Sequence, residues 1–146
     1  MWGFLIAMLS GALMSVQGVF NTGVTKESGL WLTNCFVQLT GFFVCVGFFL
    51  FLEMGKVPVT ALFKVDHKYM LFGGVIGAFI TLTVIQSMNV LGPAKAIMAI
   101  VISQTIVGYL IEVFGLFGTE KAAFSVTKLI GILVTIAGLI LFKWEK

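Results

Sequence analysis

The chain has 146 residues, of which 60% are hydrophobic and only 10% are charged, and its mean hydropathy is +1.13. A soluble domain has about 45–50% apolar and about 25% charged residues, so this chain has too few polar residues to cover a water-facing surface. The composition therefore excludes a soluble domain and predicts a protein whose solvent is the lipid bilayer. The net charge of +3 does not indicate a nucleic-acid partner. All nine basic residues are lysines at or near predicted helix ends, where lysine anchors a helix at the membrane surface.

Five continuously apolar stretches have the length of membrane spans, since a helix needs ~20 predominantly apolar residues to cross a hydrocarbon layer of ~30 Å. In chain order the predicted spans are about 2–24, 30–52, 69–91, 94–114 and 127–142. Strands are excluded because the stretches lack the alternation of barrel strands, and backbone groups in lipid must be satisfied within a helix or a closed barrel. The sequence therefore predicts an all-α integral membrane protein with one transmembrane domain, residues 1–146.

The connections are short. The first stretch opens without a basic segment or a small-residue cleavage pattern, which predicts a retained span. A polar turn is expected at Thr25–Gly29, and a connection at the membrane surface at Glu53–Lys68. Gly92 and Pro93 predict a tight reversal, since proline cannot continue a helix and glycine turns readily. The last loop is expected at Gly115–Val126.

The distribution of lysines leaves the orientation open. With five spans, the side of the N-terminus (side A) would carry Lys56, Lys64, Lys68, Lys121 and Lys128, and the other side (side B) would carry Lys26, Lys95, Lys143 and Lys146. Excess lysine on the cytoplasmic side sets orientation, and five against four is almost no bias. Two interpretations follow: a single weakly biased orientation, or insertion in both orientations with antiparallel pairing of two copies.

Small residues recur at helical spacing and predict faces where helix backbones approach closely in lipid. They are Gly11, Ser15, Gly18, Gly73, Gly77, Gly108, Gly131 and Gly138. Packing within one chain and packing between subunits explain these faces equally well.

Polar side chains within the spans are the candidate functional residues, because such groups are costly in lipid and often mark pathways. The candidates are Gln17, Asn21, Asn34, Gln38, Gln86, Ser103 and Gln104. The amides of the first three spans fall in the half of the membrane near side B, and Gln104 falls near the centre. One interpretation is that each amide only fastens helices together. The alternative is a shared polar pathway, which two antiparallel copies would make continuous.

The predicted spans carry no charged group near the midplane. Glu112 shares a helix face with Gln104 and Gly108 but lies near side A, and Lys95 opens the same helix at side B. In an antiparallel dimer, Lys95 of one chain and Glu112 of the other would reach the same surface as a possible inter-chain ion pair; snorkelling of each to the interface is the alternative. No spacing typical of a metal site, cofactor site or catalytic centre occurs, so no metal, no cofactor and no enzymatic activity are expected.

Two segments carry a resemblance to a known family. The stretch Ser15–Asn21 (SVQGVFN) and the run from Gln104 through Glu112 to Gly118 resemble short YdcZ-type members of the drug/metabolite transporter superfamily. The resemblance implies a five-helix inverted-repeat unit that assembles as an antiparallel homodimer or with a related paralogue. It also implies transport, often export, of small metabolites or drugs across the plasma membrane, which in a bacterium is the inner membrane.

The chain departs from the family pattern at two positions. Glu112 stands where members commonly carry Asp followed by His, and Lys95 falls in a stretch that is usually uncharged. The four-helix small multidrug resistance relatives carry a carboxylate deep in the first helix, where this chain has the neutral Gln17. Proton-coupled export of cations is therefore disfavoured, and a polar substrate that is neutral or weakly charged is expected. The sequence predicts a secondary transporter protomer working by alternating access; a small membrane channel and a non-transporting partner subunit are the alternatives.

Overall fold

The computed structural model describes residues 1–144, and within that range the chain is helical with no strand. The five α-helices are α1 (Trp2–Ser28), α2 (Leu30–Phe48), α3 (Gly73–Leu91), α4 (Pro93–Phe114) and α5 (Val126–Trp144). A π-helical turn, Phe49–Glu53, extends α2, and the 3-10 segments Val59–Lys64 and Lys68–Phe72 lead into α3. A third 3-10 segment, Leu116–Gly118, follows α4.

Four helical stretches are long and apolar enough to cross a membrane: Trp2–Ser28, Leu30–Glu53, Lys68–Leu91 and Pro93–Phe114. The apolar part of α5, Val126–Phe142, is shorter. Large apolar side chains on these helices point outward, as at Phe4 (71% exposed) and Phe43 (62% exposed). A surface this apolar needs lipid as its solvent, which confirms the prediction of an all-helical membrane protein.

Single glycines join two pairs of helices. Gly29, between α1 and α2, has φ 81° and ψ 159°, and Gly92, between α3 and α4, has φ 78° and ψ 160°. This region of backbone space is essentially open to glycine alone. Pro93 then occupies the first turn of α4, where its missing N–H costs nothing. The predicted break at Gly92–Pro93 is thus confirmed.

The turn predicted at Thr25–Gly29 is wrong in extent, because α1 continues to Ser28 and only Gly29 leaves the helix. The hydroxyl of Thr25 donates to the carbonyl of Asn21 at 2.7 Å, and that of Ser28 donates to Val24 at 2.9 Å. Because these polar side chains are satisfied by the helix's own backbone, they do not break it.

The chain divides into two compact units, with the boundary inside α3. The first, Met1–Ser87, contains α1, α2 and most of α3, and α1 packs along α2 within it. The second begins at Met88 and contains α4 packed along α5. Each unit holds one group of the polar side chains described next.

Candidate functional site

Two amides of α2 bind α3. The side-chain N–H of Asn34 donates to the backbone carbonyl of Ala78 at 3.2 Å, and that of Gln38 donates to the hydroxyl of Thr81, also at 3.2 Å. Asn34 and Gln38 are one helical turn apart, so both side chains reach the same side of α2. These two residues therefore fasten helices together, which is one of the two interpretations that the sequence allowed.

The amides of α1 have a different setting. Gln17 and Asn21, also one turn apart, line an open groove of about 540 Å³ between α1 and α2, together with Thr33 and Thr40. Gln17 is exposed, whereas Asn21 is buried with 8% of its surface accessible. Within residues 1–144, the side-chain hydrogen bonds of the seven candidate residues are those of Asn34 and Gln38 alone. Gln17 and Asn21 therefore present unused hydrogen-bonding groups to a groove.

Asn34 has one polar atom left over. Its side chain is 7% exposed, its N–H group is bonded to Ala78, and its Oδ1 atom is buried without a hydrogen-bond partner among the described residues. The residue also lines a groove of about 400 Å³ between α2 and α3. An unpaired buried carbonyl costs about 1–3 kcal/mol. A residue that only held α2 against α3 would not need to bear this cost.

The second unit contains a separate groove of about 490 Å³ between α4 and α5. Gln104, Thr105, Gly108 and Glu112 line it from α4, at positions that share one helix face. Lys128, Gly131 and Thr135 line it from α5. The groove thus runs from a charged end to the amide of Gln104, which is exposed.

Glu112 is paired within the chain. The ammonium of Lys128 donates to its Oε2 atom at 2.9 Å, and both side chains are about half exposed, at 52% and 53%. The sequence reasoning missed this pair, although Glu112 and Lys128 stand near the facing ends of two helices joined by a short loop. Lys95 is exposed and has no ion-pair partner among residues 1–144. An inter-chain pair of Lys95 with Glu112 stays a prediction, and it would have to share a carboxylate that Lys128 already holds.

Tyr109 holds Ser125, the last residue of the loop before α5, and α5 carries Lys128. Its hydroxyl accepts from the backbone N–H of Ser125 at 2.8 Å and donates to the carbonyl of Ser125 at 3.1 Å. Its ring is tilted against Phe124 and lies 5.6 Å from the Lys128 ammonium. Tyr109 was not among the predicted site residues, and its position one residue after Gly108, on the groove face, was the available signal.

The remaining candidates lie elsewhere. Gln86 and Ser103 are exposed and belong to none of these three grooves. Gly18 is buried on α1. A Cβ built at the other predicted packing glycines would meet no atom within 4 Å; these are Gly11, Gly73, Gly77, Gly108, Gly131 and Gly138. Among the described residues, no close helix contact is therefore made at those six positions within the compact unit that holds each glycine.

Comparisons with known proteins agree with this architecture. The chain matches the sequence model of the family described as "Putative inner membrane exporter, YdcZ" over residues 2–141. No curated protein and no solved structure matches it. The match covers nearly the whole helical chain, including every side chain that lines the three grooves. The chain therefore belongs to the YdcZ family, whose description is that of an inner membrane exporter, and its long apolar helices agree with a multi-pass membrane protein.

Proposed function

We propose that the chain is one protomer of a secondary transporter that moves a small polar metabolite or drug across the inner membrane by alternating access. Membership of an exporter family supports transport. The observation that carries the mechanism is that Gln17, Asn21 and Gln104 line open grooves without partners of their own. Unpaired amides are costly in lipid, so their retention along grooves fits groups that bind a passing solute.

All five helices cross the membrane in this proposal and act as one transmembrane domain. The apolar part of α5, Val126–Phe142, is about 25 Å long at 1.5 Å per residue, close to the ~30 Å of a hydrocarbon layer. Lys128, near the start of this segment, would reach one membrane surface. Five spans place the two termini on opposite sides.

The working assembly in this proposal is an antiparallel homodimer, or a pair with a related paralogue. Within its own unit each groove is open, and among the described residues of each unit the six predicted packing glycines have free space beside them. A second chain would cover such faces, because small residues allow close backbone approach in lipid. An antiparallel arrangement would also join the polar groups of the two copies across both halves of the membrane.

Proteoliposome transport of labelled polar solutes tests the proposal. We expect Gln17→Leu and Gln104→Leu each to lower saturable flux by about tenfold, the loss of one hydrogen bond of about 1.4 kcal/mol. Thr83→Val is the matched control, because Thr83 is exposed and its hydroxyl bonds only its own helix. Unchanged flux in both glutamine variants would remove the pathway. Large non-saturating currents would indicate a channel instead, and no flux in the native chain would favour a partner subunit.

A further inference from the structure

The groove between α4 and α5 is the one groove described here whose lining contains a charged pair. Glu112 and Lys128 lie at one end of it, and Gln104 lies eight residues before Glu112 in α4, about 12 Å away at 1.5 Å per residue. The groove therefore offers two opposite charges at one end and a neutral amide at the other.

Both charged groups keep unused bonding capacity. The Lys128 ammonium has three N–H groups and gives one to Glu112, whose carboxylate accepts it through Oε2. Both side chains remain about half exposed, so a ligand can reach them. The hydroxyl of Tyr109 is occupied by Ser125 and is not available to a ligand, but its ring lies beside the pair, where it favours a cation.

Charge balance selects the kind of ligand. A cation bound to Glu112 would share that carboxylate with Lys128 and add an uncompensated positive charge, and an anion bound to Lys128 would add an uncompensated negative charge. A zwitterion supplies both charges, so it can insert between the two side chains and leave every charge compensated. From this geometry we infer that the groove binds small zwitterions, with the ligand's ammonium on Glu112 and its carboxylate on Lys128.

Space for the ligand's body lies along the walls. A Cβ built at Gly108 or Gly131 would meet no atom within 4 Å, so both glycines border open volume. Polar atoms of Gln104 and Thr135 lie further along the same groove and suit a polar ligand side chain. The inference rests on the proposed function, since it names the substrate class that the transporter would carry.

Binding to the purified full chain in lipid nanodiscs tests the inference by isothermal titration calorimetry. The ligands are α-amino acids, β-alanine and γ-aminobutyrate, each compared with its methyl ester, a cation, and its N-acetyl derivative, an anion. We expect at least one zwitterion to bind about tenfold or more tightly than both of its derivatives, because each derivative loses one charged hydrogen bond. Equal binding within every series, or no binding at all, would overturn the inference.

Variants distinguish a ligand-binding role of the Glu112–Lys128 ion pair from a purely structural role. The double variant Glu112→Gln with Lys128→Gln should lose the preference for zwitterions, whereas the exchange Glu112→Lys with Lys128→Glu should restore it in the reverse order of charges. Gly131→Leu should block the groove, and Ala137→Leu, an exposed position on α5 outside the groove, should not. A zwitterion preference that survives the double glutamine change would overturn the inference.

Flux measurements on the same ligands keep the two hypotheses apart. Saturable transport of an uncharged solute, without preferential zwitterion binding, would overturn the inference and leave the proposed function standing. Preferential binding without transport of any solute would support the site and contradict the proposed function.

Discussion

Gln17 and Gln38 are both exposed glutamines on neighbouring helices, yet their surroundings differ. Gln38 donates to Thr81, whose hydroxyl in turn donates to the carbonyl of Gly77. Gln17 lines the groove between α1 and α2 and has no such bond. Hydrogen bonds between membrane helices contribute on average about 0.6 kcal/mol and up to about 1.7 kcal/mol. Gln38 therefore stabilises the contact between α2 and α3, whereas the side-chain amide of Gln17 is available to bind a solute.

A double-mutant cycle tests that division. We expect Gln38→Leu and Thr81→Val to show a coupling of about 0.6–1.7 kcal/mol in the free energy of unfolding, because each change alone breaks the same bond. Unfolding by SDS in mixed micelles measures it. The matched cycle of Gln17→Leu with Thr40→Val, a groove residue on α2, should show no coupling. Equal coupling in both cycles would contradict the assignment.

The two pairs of amides show how far the residues could be predicted. Helical spacing alone places Gln17 with Asn21 and Asn34 with Gln38 on shared faces. It does not say that Ala78 and Thr81 receive the bonds from α2, because partners across helices depend on how two helices are rotated and shifted against each other. The pair of Glu112 with Lys128 was missed for the same reason.

At the level of elements, the apolar runs located the five helices but not all of their ends: α2 gives way to a π-helical turn at Phe49, α3 begins only at Gly73, and α1 continues to Ser28. The sequence predicted a polar turn at Thr25, Lys26 and Glu27, but these residues are helical. The hydroxyls of Thr25 and Ser28 bond carbonyls one turn earlier, so the helix itself satisfies these polar groups. The single residue Gly29 therefore connects α1 to α2, where the sequence predicted a turn of five residues. Gly92 does the same before α4, where Pro93 made the break predictable.

These two glycines give a stability prediction. Gly29→Ala and Gly92→Ala should each lower the free energy of unfolding by about 1–3 kcal/mol, because alanine is strained at their backbone angles. Contact with other atoms is not the cause, since an added Cβ would meet nothing within 4 Å at either site. Gly47→Ala, inside α2 and equally free of contacts, should be neutral or stabilising by up to about 1 kcal/mol. Equal losses at all three sites would contradict the backbone argument.

The hydroxyl of Tyr109 makes two of the hydrogen bonds that hold the loop before α5. Tyr109→Phe removes both hydrogen bonds to Ser125 and leaves the part-buried backbone N–H of Ser125 unpaired. We therefore expect the free energy of unfolding to fall by about 1–3 kcal/mol. Amide hydrogen exchange should also become faster at Ser125 and its neighbours. Tyr69→Phe, at an exposed tyrosine before α3, should change neither quantity. Unaltered exchange at Ser125 in the Tyr109 variant would show that the loop is held otherwise.

At the scale of the whole molecule, the proposed five-span topology would place five lysines on side A and four on side B. This near balance bears on how two chains assemble. If an antiparallel dimer is the working form, the chain must insert in both orientations, and its charge distribution must not favour either. Lys56→Gln, Lys64→Gln and Lys68→Gln together would leave two lysines on side A against four on side B. Lys26→Gln, Lys143→Gln and Lys146→Gln together would leave five against one.

Each triple variant alone should insert mainly one way and lose most transport, and co-expression of the two should restore it, because opposite biases supply the two orientations. Labelling of Ala123→Cys from outside intact cells, in a chain with Cys35 and Cys45 replaced by alanine, measures the orientation. In the native charge background we expect that cysteine to be accessible from both sides. Full transport by either triple variant alone, with labelling from one side, would mean that chains of a single orientation form the transporter, and the antiparallel assembly would be wrong.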